Sequence, residues 1–264
     1  MNVIELHTAD LTIAASLVAL TALVSLLLRL DMARQIIWGA VRTVIQLLLV
    51  GHLLRLVFAH NSAWTTAALV AVMMALAARE VAARPKVRLR GLGNAWVAAL
   101  TVAATTAVTA LFILHTALRP DPWYDARYVI ALVGIVLGSV LNAASLALDG
   151  MLAGVRREKA GIEARLALGA TAREAFGPLL RAAIRRGIVP SINQMSAAGI
   201  ITLPGIMTGQ IIAGMDPVEA VKYQILIMFL LAGASALAAM GAAFAAMRRL
   251  TDTRARLRLD RLMD

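Results

Sequence analysis

Pro204 and Gly205 interrupt an apolar stretch, GIITLPGIMTGQIIAGMDP (199–217), that also carries Met207, Thr208 and Gln210. A proline inside a helix lacks the N–H that would bond the carbonyl four residues back, here at residue 200, and the adjacent glycine gives the break room to turn. A freed carbonyl beside a hydroxyl and an amide can meet a polar solute, which is how broken helices serve transport sites in membranes. The stretch has a second reading: Gly205 and Gly209 form Gly-x-x-x-Gly, a spacing that lets two helices approach closely. One span serves both purposes if two copies meet around a pathway.

Other polar groups lie in apolar surroundings. Ser139, Asn142, Ser145 and Asp149 follow each other at steps of three, three and four, hence on one helical face, and Ser191, Asn193, Gln194 and Ser196 open the broken stretch. Such side chains either glue membrane helices together or line a polar route; Asn142 and Asn193 are the candidates for the route, because an amide needs more partners than a serine. Arg42 and Gln46 stand one turn apart. A buried charge there is costly, so Arg42 snorkels to headgroups, pairs with Glu80, or serves in gating. Met195, Met207 and Met215 cluster around the break, and a thioether is a soft donor that suits Cu(I) and not the harder cations. His7, His52, His60 and His115 have no ligand spacing with one another. No metal site is assigned; a metal cargo either travels chelated or meets acids such as Asp216 and Glu219 at the outer mouth. No pair of intramembrane carboxylates or histidine cluster points to an embedded enzyme, so no catalytic residue is assigned.

The elements that must position these residues are helices. Of 264 residues 61% are hydrophobic and 16% charged, and the apolar residues come in blocks of about 20, enough to cross a hydrocarbon core. The pattern predicts an all-α polytopic membrane protein, one transmembrane domain with seven spans over 11–28, 36–58, 62–78, 95–115, 128–148, 190–213 and 220–247. The first is too long, and its leading MNVIELHTAD too acidic, for a cleavable signal peptide. Segments 29–42, 79–90, 149–188 and 248–264 hold 22 of the 26 Lys and Arg, leaving Arg55, Arg119, Arg127 and Lys222 on the other side. That asymmetry predicts an N-out, C-in chain, and it assigns the net charge of +11 to topology and lipid contact rather than nucleic acid. The chain has no cysteine, which excludes disulfides and thiolate sites.

The one long inner stretch, 149–189, has internal punctuation. A helix over about 156–168 ends at Gly169, a residue suited to a left-handed C′ position. Thr171 then begins TARE, a capping box in which Thr171 and Glu174 satisfy each other's backbone donors. Gly177-Pro178 breaks that short helix, and Pro178 opens the next. The result is either an amphipathic segment parked on lipid or a rigid knuckle offered to a cytoplasmic partner.

EARLALG (163–169) resembles the Glu-Ala-Ala-x-x-x-Gly loop through which ABC-transporter permeases dock on their ATP-binding subunit, with Arg165 in place of an alanine. Together with VRTVIQLLLVGHLL (41–54), LGSVLNAASLALDGM (137–151) and the block 189–229, it resembles the FetB/YbbM-type permease family across nearly the whole chain. That resemblance implies a seven-span subunit of the bacterial inner membrane, paired with an ATPase and associated with iron export; plant relatives are linked to aluminium tolerance and nucleotide-sugar transport. It implies that Glu163, Ala164, Arg165, Gly169, Thr171 and Glu174 couple to the ATPase, and that ATP and Mg are bound by that partner. The residues agree on one point: no Gly-x-x-x-x-Gly-Lys-Ser/Thr occurs, and Lys86, Lys159 and Lys222 lie in no glycine loop. The resulting expectation is a homodimeric permease driven by a separate ATPase. An ATP-independent channel or carrier, or a permease for an organic solute, is the alternative.

Overall fold

The computed structural model describes residues 8–60, 62–252, 254 and 256–263. Its chain divides into two compact units, Met1–Asn61 and Ser62–Asp264. Among the described residues the regular structure is helical, and six helices are long and apolar enough to cross a membrane.

The first unit is a helical hairpin of α1 (Thr8–Leu27) and α2 (Ala33–His60). Arg29 and Asp31 take left-handed φ values of 51° and 55° at the corner, where the Ser25 Oγ accepts the Met32 N–H at 3.2 Å. Ala22, Ser25, Ala33 and Val57 are buried, while Leu17, Ile45 and Leu48 point outward. So large an apolar exterior needs lipid or other helices against it.

The second unit holds α3 (Ala63–Ala83), α4 (Gly93–Ile113, prolonged by a π-helical turn at Leu114–Leu118), α5 (Ala126–Arg157), α6 (Lys159–Ala167), α7 (Ala172–Ala175), α8 (Gly177–Ala197), α9 (Gly205–Ile212) and α10 (Pro217–Leu250). Its core is built by α5, α8 and α10, with α3 and α4 packed on α5. Small residues make this possible. Ala234, Ala238, Ala239, Ala242, Ala243 and Ala246 of α10 are fully buried, so neighbouring backbones come close. Gly187 of α8 is the tightest point, because a methyl group there would lie 2.7 Å from both the Ala143 carbonyl oxygen and the Ala239 Cβ.

Three stretches differ from the sequence reading, the first being the inner helix expected over 156–168, which begins only at Lys159 because Arg156 and Arg157 belong to α5. α5 does not stop at 148 but runs on to Arg157, because Gly150 and Gly154 are packing glycines and not breakers: they face Arg186 and Leu179 of α8. The inner stretch therefore starts as a continuation of the span. The predicted span 190–213 is not one kinked helix. It is the last eight residues of the 21-residue α8, an irregular segment 198–204, and the separate eight-residue α9. The chain also folds back at its far end, where the Arg90 N–H donates to the Arg261 carbonyl (2.6 Å) and the Met263 N–H to that of Arg88 (2.7 Å).

Candidate functional site

The elbow between α5 and α8 is closed by local chemistry at each corner. α6 ends in a Schellman motif: Gly169 takes φ 88°, its N–H donates to the Leu166 carbonyl, and the Ala170 N–H donates to that of Arg165. Two residues on, the Thr171 N–H and hydroxyl both donate to the Glu174 carboxylate at 2.8 Å, and the Glu174 N–H returns a bond to the Thr171 Oγ at 3.3 Å. The Thr171 backbone donor, and then its hydroxyl, hold the exposed Glu174 carboxyl below its ordinary range. Pro178 stands in the first turn of α8, where its missing N–H costs nothing.

One contact bridges the two corners. The Arg165 guanidinium donates to the Ala175 carbonyl at 2.9 Å, tying α6 to the end of α7. Arg165 is thus a brace inside the elbow. Ile162, Ala175 and Phe176 are fully buried in the core of the unit. Opposite them, Glu163, Ala164 and Gly169 are exposed, and Leu168 is 88% exposed. The elbow therefore has an anchored side and a presented side. Arg173 of α7 lies over the Phe244 ring of α10 at 5.8 Å, a cation–π distance.

The polar face of α5 is only partly turned to the core. Asn142 is exposed, and its Oδ1 accepts from the Arg84 guanidinium at 3.1 Å. Asp149 accepts the Lys86 N–H at 3.0 Å. Both bonds pin the connection between α3 and α4 onto α5. That connection is held from inside by Asn94, which accepts the Leu89 N–H and donates to the Ala82 carbonyl. The sequence reading passed over Asn94; its only signal is an amide at the start of an apolar span. Asn193 is exposed on α8, away from these bonds, while nearby Ser191 bonds Ser235 of α10 at 2.7 Å.

At the broken stretch, α8 ends at Ala197, its C-cap Ala198 is extended, Gly199 follows at φ 84°, and Thr202 turns back with its N–H on the Ala197 carbonyl. Pro204 is not inside a helix: it is the extended N-cap of α9, and its carbonyl accepts the Thr208 hydroxyl at 3.2 Å. The proline inside a helix is Pro190 of α8. α9 packs on α10 and contains no fully buried residue. Gly205 is exposed, while Met195 of α8 and Met207, Thr208 and Gln210 of α9 are half-buried. The enclosed Gln210 Oε1 accepts no hydrogen bond among the described residues. Ile200 is 91% exposed at the turn.

Arg42 and Gln46 are exposed on α2 of the first unit, and Glu80 is half-buried on α3 of the second. Among the described residues no three His, Asp or Glu side chains are grouped to hold a metal ion. His52 and His115 bond carbonyls of their own helices through Nδ1. His7 lies outside the described residues, as does the side chain of His60.

Known proteins resemble this chain along most of its length. The UPF0014 membrane protein slr1647 of Synechocystis is 38% identical over 76% of this chain and 77% of its own. The probable iron export permease protein FetB of Escherichia coli is 30% identical over 97% of both chains. The protein aluminum sensitive 3 of Arabidopsis thaliana is 28% identical over 84% of this chain and 79% of its own. No solved structure matches. The family described as an uncharacterised protein family, UPF0014, matches residues 8–251, and a chain that shares this match, six apolar helices and full-length similarity to a permease belongs to that family of membrane proteins.

Proposed function

We propose that this chain is the membrane permease of an ABC exporter of the inner membrane, moving iron or another metal ion or chelate. Two copies would enclose the route, and a separate subunit would bind ATP and Mg. The observation that carries the reading is the elbow. A polar segment resting on lipid has no need of a Schellman turn, a capping box and an arginine brace in sequence, and lipid contact gives no reason to anchor Phe176 in the core while Glu163 and Leu168 face out.

The elbow is fused to two long helices, α5 before it and α8 after it. Force applied at Glu163–Gly169 passes along α5, a rod of 32 residues and so about 48 Å long, and along α8 to the break after Ala197. There α8 ends and α9 begins, so the segment 198–212 can change its angle without straining a continuous helix. On this reading α8 and α9 together make the sixth of seven crossings, with the N-terminus outside and the C-terminus inside. The exposed α9, with Gly205 and Gly209 open to within 4 Å, meets its copy in the second permease. The cargo rests on relatives: FetB is named for iron export, and the Arabidopsis relative for aluminium sensitivity.

The test is co-purification with the ATP-binding subunit followed by transport into inside-out vesicles. Glu163→Arg should abolish capture of the ATPase while the permease stays folded, and Fe(II) should stimulate ATP hydrolysis in the wild-type complex. Undiminished capture by Glu163→Arg refutes the docking role, and ATPase activity indifferent to metals and chelates refutes the cargo.

A further inference from the structure

An apolar groove and a basic pocket meet on the surface of the second unit and share two residues. The groove, about 630 Å³, runs between α4 and α10 over Trp96, Leu100, Gly241 and Phe244 and ends at Arg248 and Arg249. The pocket, about 350 Å³, lies under the returning C-terminal segment and is lined by Arg90, Arg249, Asp260 and Arg261; Trp96 and Arg249 belong to both.

The charges are uneven in a telling way. Asp260 is held by a two-point bond from Arg258, with both contacts at 2.8 Å, and that guanidinium keeps its carboxyl at about 2. Its negative charge is thus already neutralised. Arg261 donates one N–H to the Arg249 carbonyl at 2.6 Å. Arg90, Arg248 and Arg249 form no ion pair with a carboxylate among the described residues. Arginines gathered at the end of a membrane-length helix, beside a tryptophan that is 62% exposed, mark the depth at which lipid headgroups lie.

We propose that this composite cleft binds one anionic phospholipid, its phosphate between Arg90, Arg248 and Arg249 and an acyl chain along Trp96, Leu100 and Gly241. The guanidiniums match a phosphate in charge and fork geometry. The groove beyond them matches a chain and has no polar requirement to meet. A soluble anion would use the pocket alone, and a zwitterionic lipid would bring a cation toward the arginines. The site also borders the elbow: the groove wall Phe244 carries Arg173 of α7 on its ring. A bound lipid therefore lies one side chain, Phe244, away from α7.

Native mass spectrometry of the full chain, released from mild detergent with phosphatidylglycerol or phosphatidylcholine added, tests the site. Phosphatidylglycerol should be retained about tenfold more strongly than phosphatidylcholine. Arg248→Ala with Arg249→Ala should reduce it to the phosphatidylcholine level, and Leu100→Trp should weaken both lipids by filling the groove. If the double alanine chain fails to elute as a folded species, Arg248→Gln with Arg249→Gln carries the same comparison with side-chain length kept. Equal retention of the two lipids, retention unchanged in the double variant, or displacement by millimolar glycerol 3-phosphate overturns the proposal; the last would reveal a soluble-anion pocket. Loss of ATPase capture leaves this experiment unaffected, so it stands apart from the transport reading.

Discussion

Gly187→Ala tests whether α5, α8 and α10 meet as tightly as the structure has them. The added methyl would sit 2.7 Å from the Ala143 carbonyl oxygen and 2.7 Å from the Ala239 Cβ, with the Ala147 Cβ at 3.4 Å. Carbon atoms in contact prefer about 3.5–4.0 Å, so one helix must retreat by roughly 1 Å. Two of these neighbours are a backbone carbonyl and a Cβ, which cannot rotate aside. Overpacking of this kind costs about 1–3 kcal/mol, while replacing a helical glycine by alanine returns about 1 kcal/mol. The net expectation is a loss of about 0–2 kcal/mol, which places its thermal midpoint below that of a glycine-to-alanine change made in open space. Gly161→Ala in α6 is the control. No atom lies within 4 Å of its new methyl, so the propensity gain stands alone and the midpoint should hold or rise. Gly187→Ala as stable as the control would refute the close packing of the three helices.

Three further outcomes follow from the same geometry. Arg165→Ala removes the brace to Ala175, worth about 1 kcal/mol at an exposed site; amide exchange over 172–176 should quicken, and Arg165→Lys should restore part of the protection. Glu174 is depressed from its usual value of 4.5, so its contribution to elbow order is present above that value and is lost as pH falls through the depressed one. Protection of α7 should fall in acid, less steeply in Thr171→Ala; a pH-independent α7 would contradict the capping box. Gly205→Leu with Gly209→Leu meets open space within one chain, so folding should survive while the permease dimer dissociates on light scattering; an intact dimer would remove α9 from the interface.

What could be read from the sequence was what short-range chemistry determines. Gly169 and the Thr171–Glu174 box were legible because a left-handed cap and a reciprocal cap depend on neighbours four residues away at most. The spans other than 190–213 were legible from apolar blocks. The extension of α5 was not, since a glycine that admits Leu179 and one that ends a helix look alike until α8 is in place. The end of α8 at Ala197, ahead of Pro204, was not legible, because average hydropathy over 190–213 conceals an extended Ala198 and a left-handed Gly199. The brace from Arg165 to the Ala175 carbonyl joins groups ten residues apart, and no local pattern predicts it. The same holds for Asn142 and Arg84, which depend on how two helices pack.

The chain contains no cysteine, which makes one measurement unusually direct. Leu168→Cys, at the exposed tip of the elbow, should form a short bifunctional cross-link to the ATP-binding subunit in native membranes, with a yield that changes on adding ATP. Trp64→Cys, equally exposed at the far end of α3, should give none. Absence of any cross-link from residue 168, with the subunit present and the permease folded, would contradict the claim that this elbow receives the force of ATP hydrolysis.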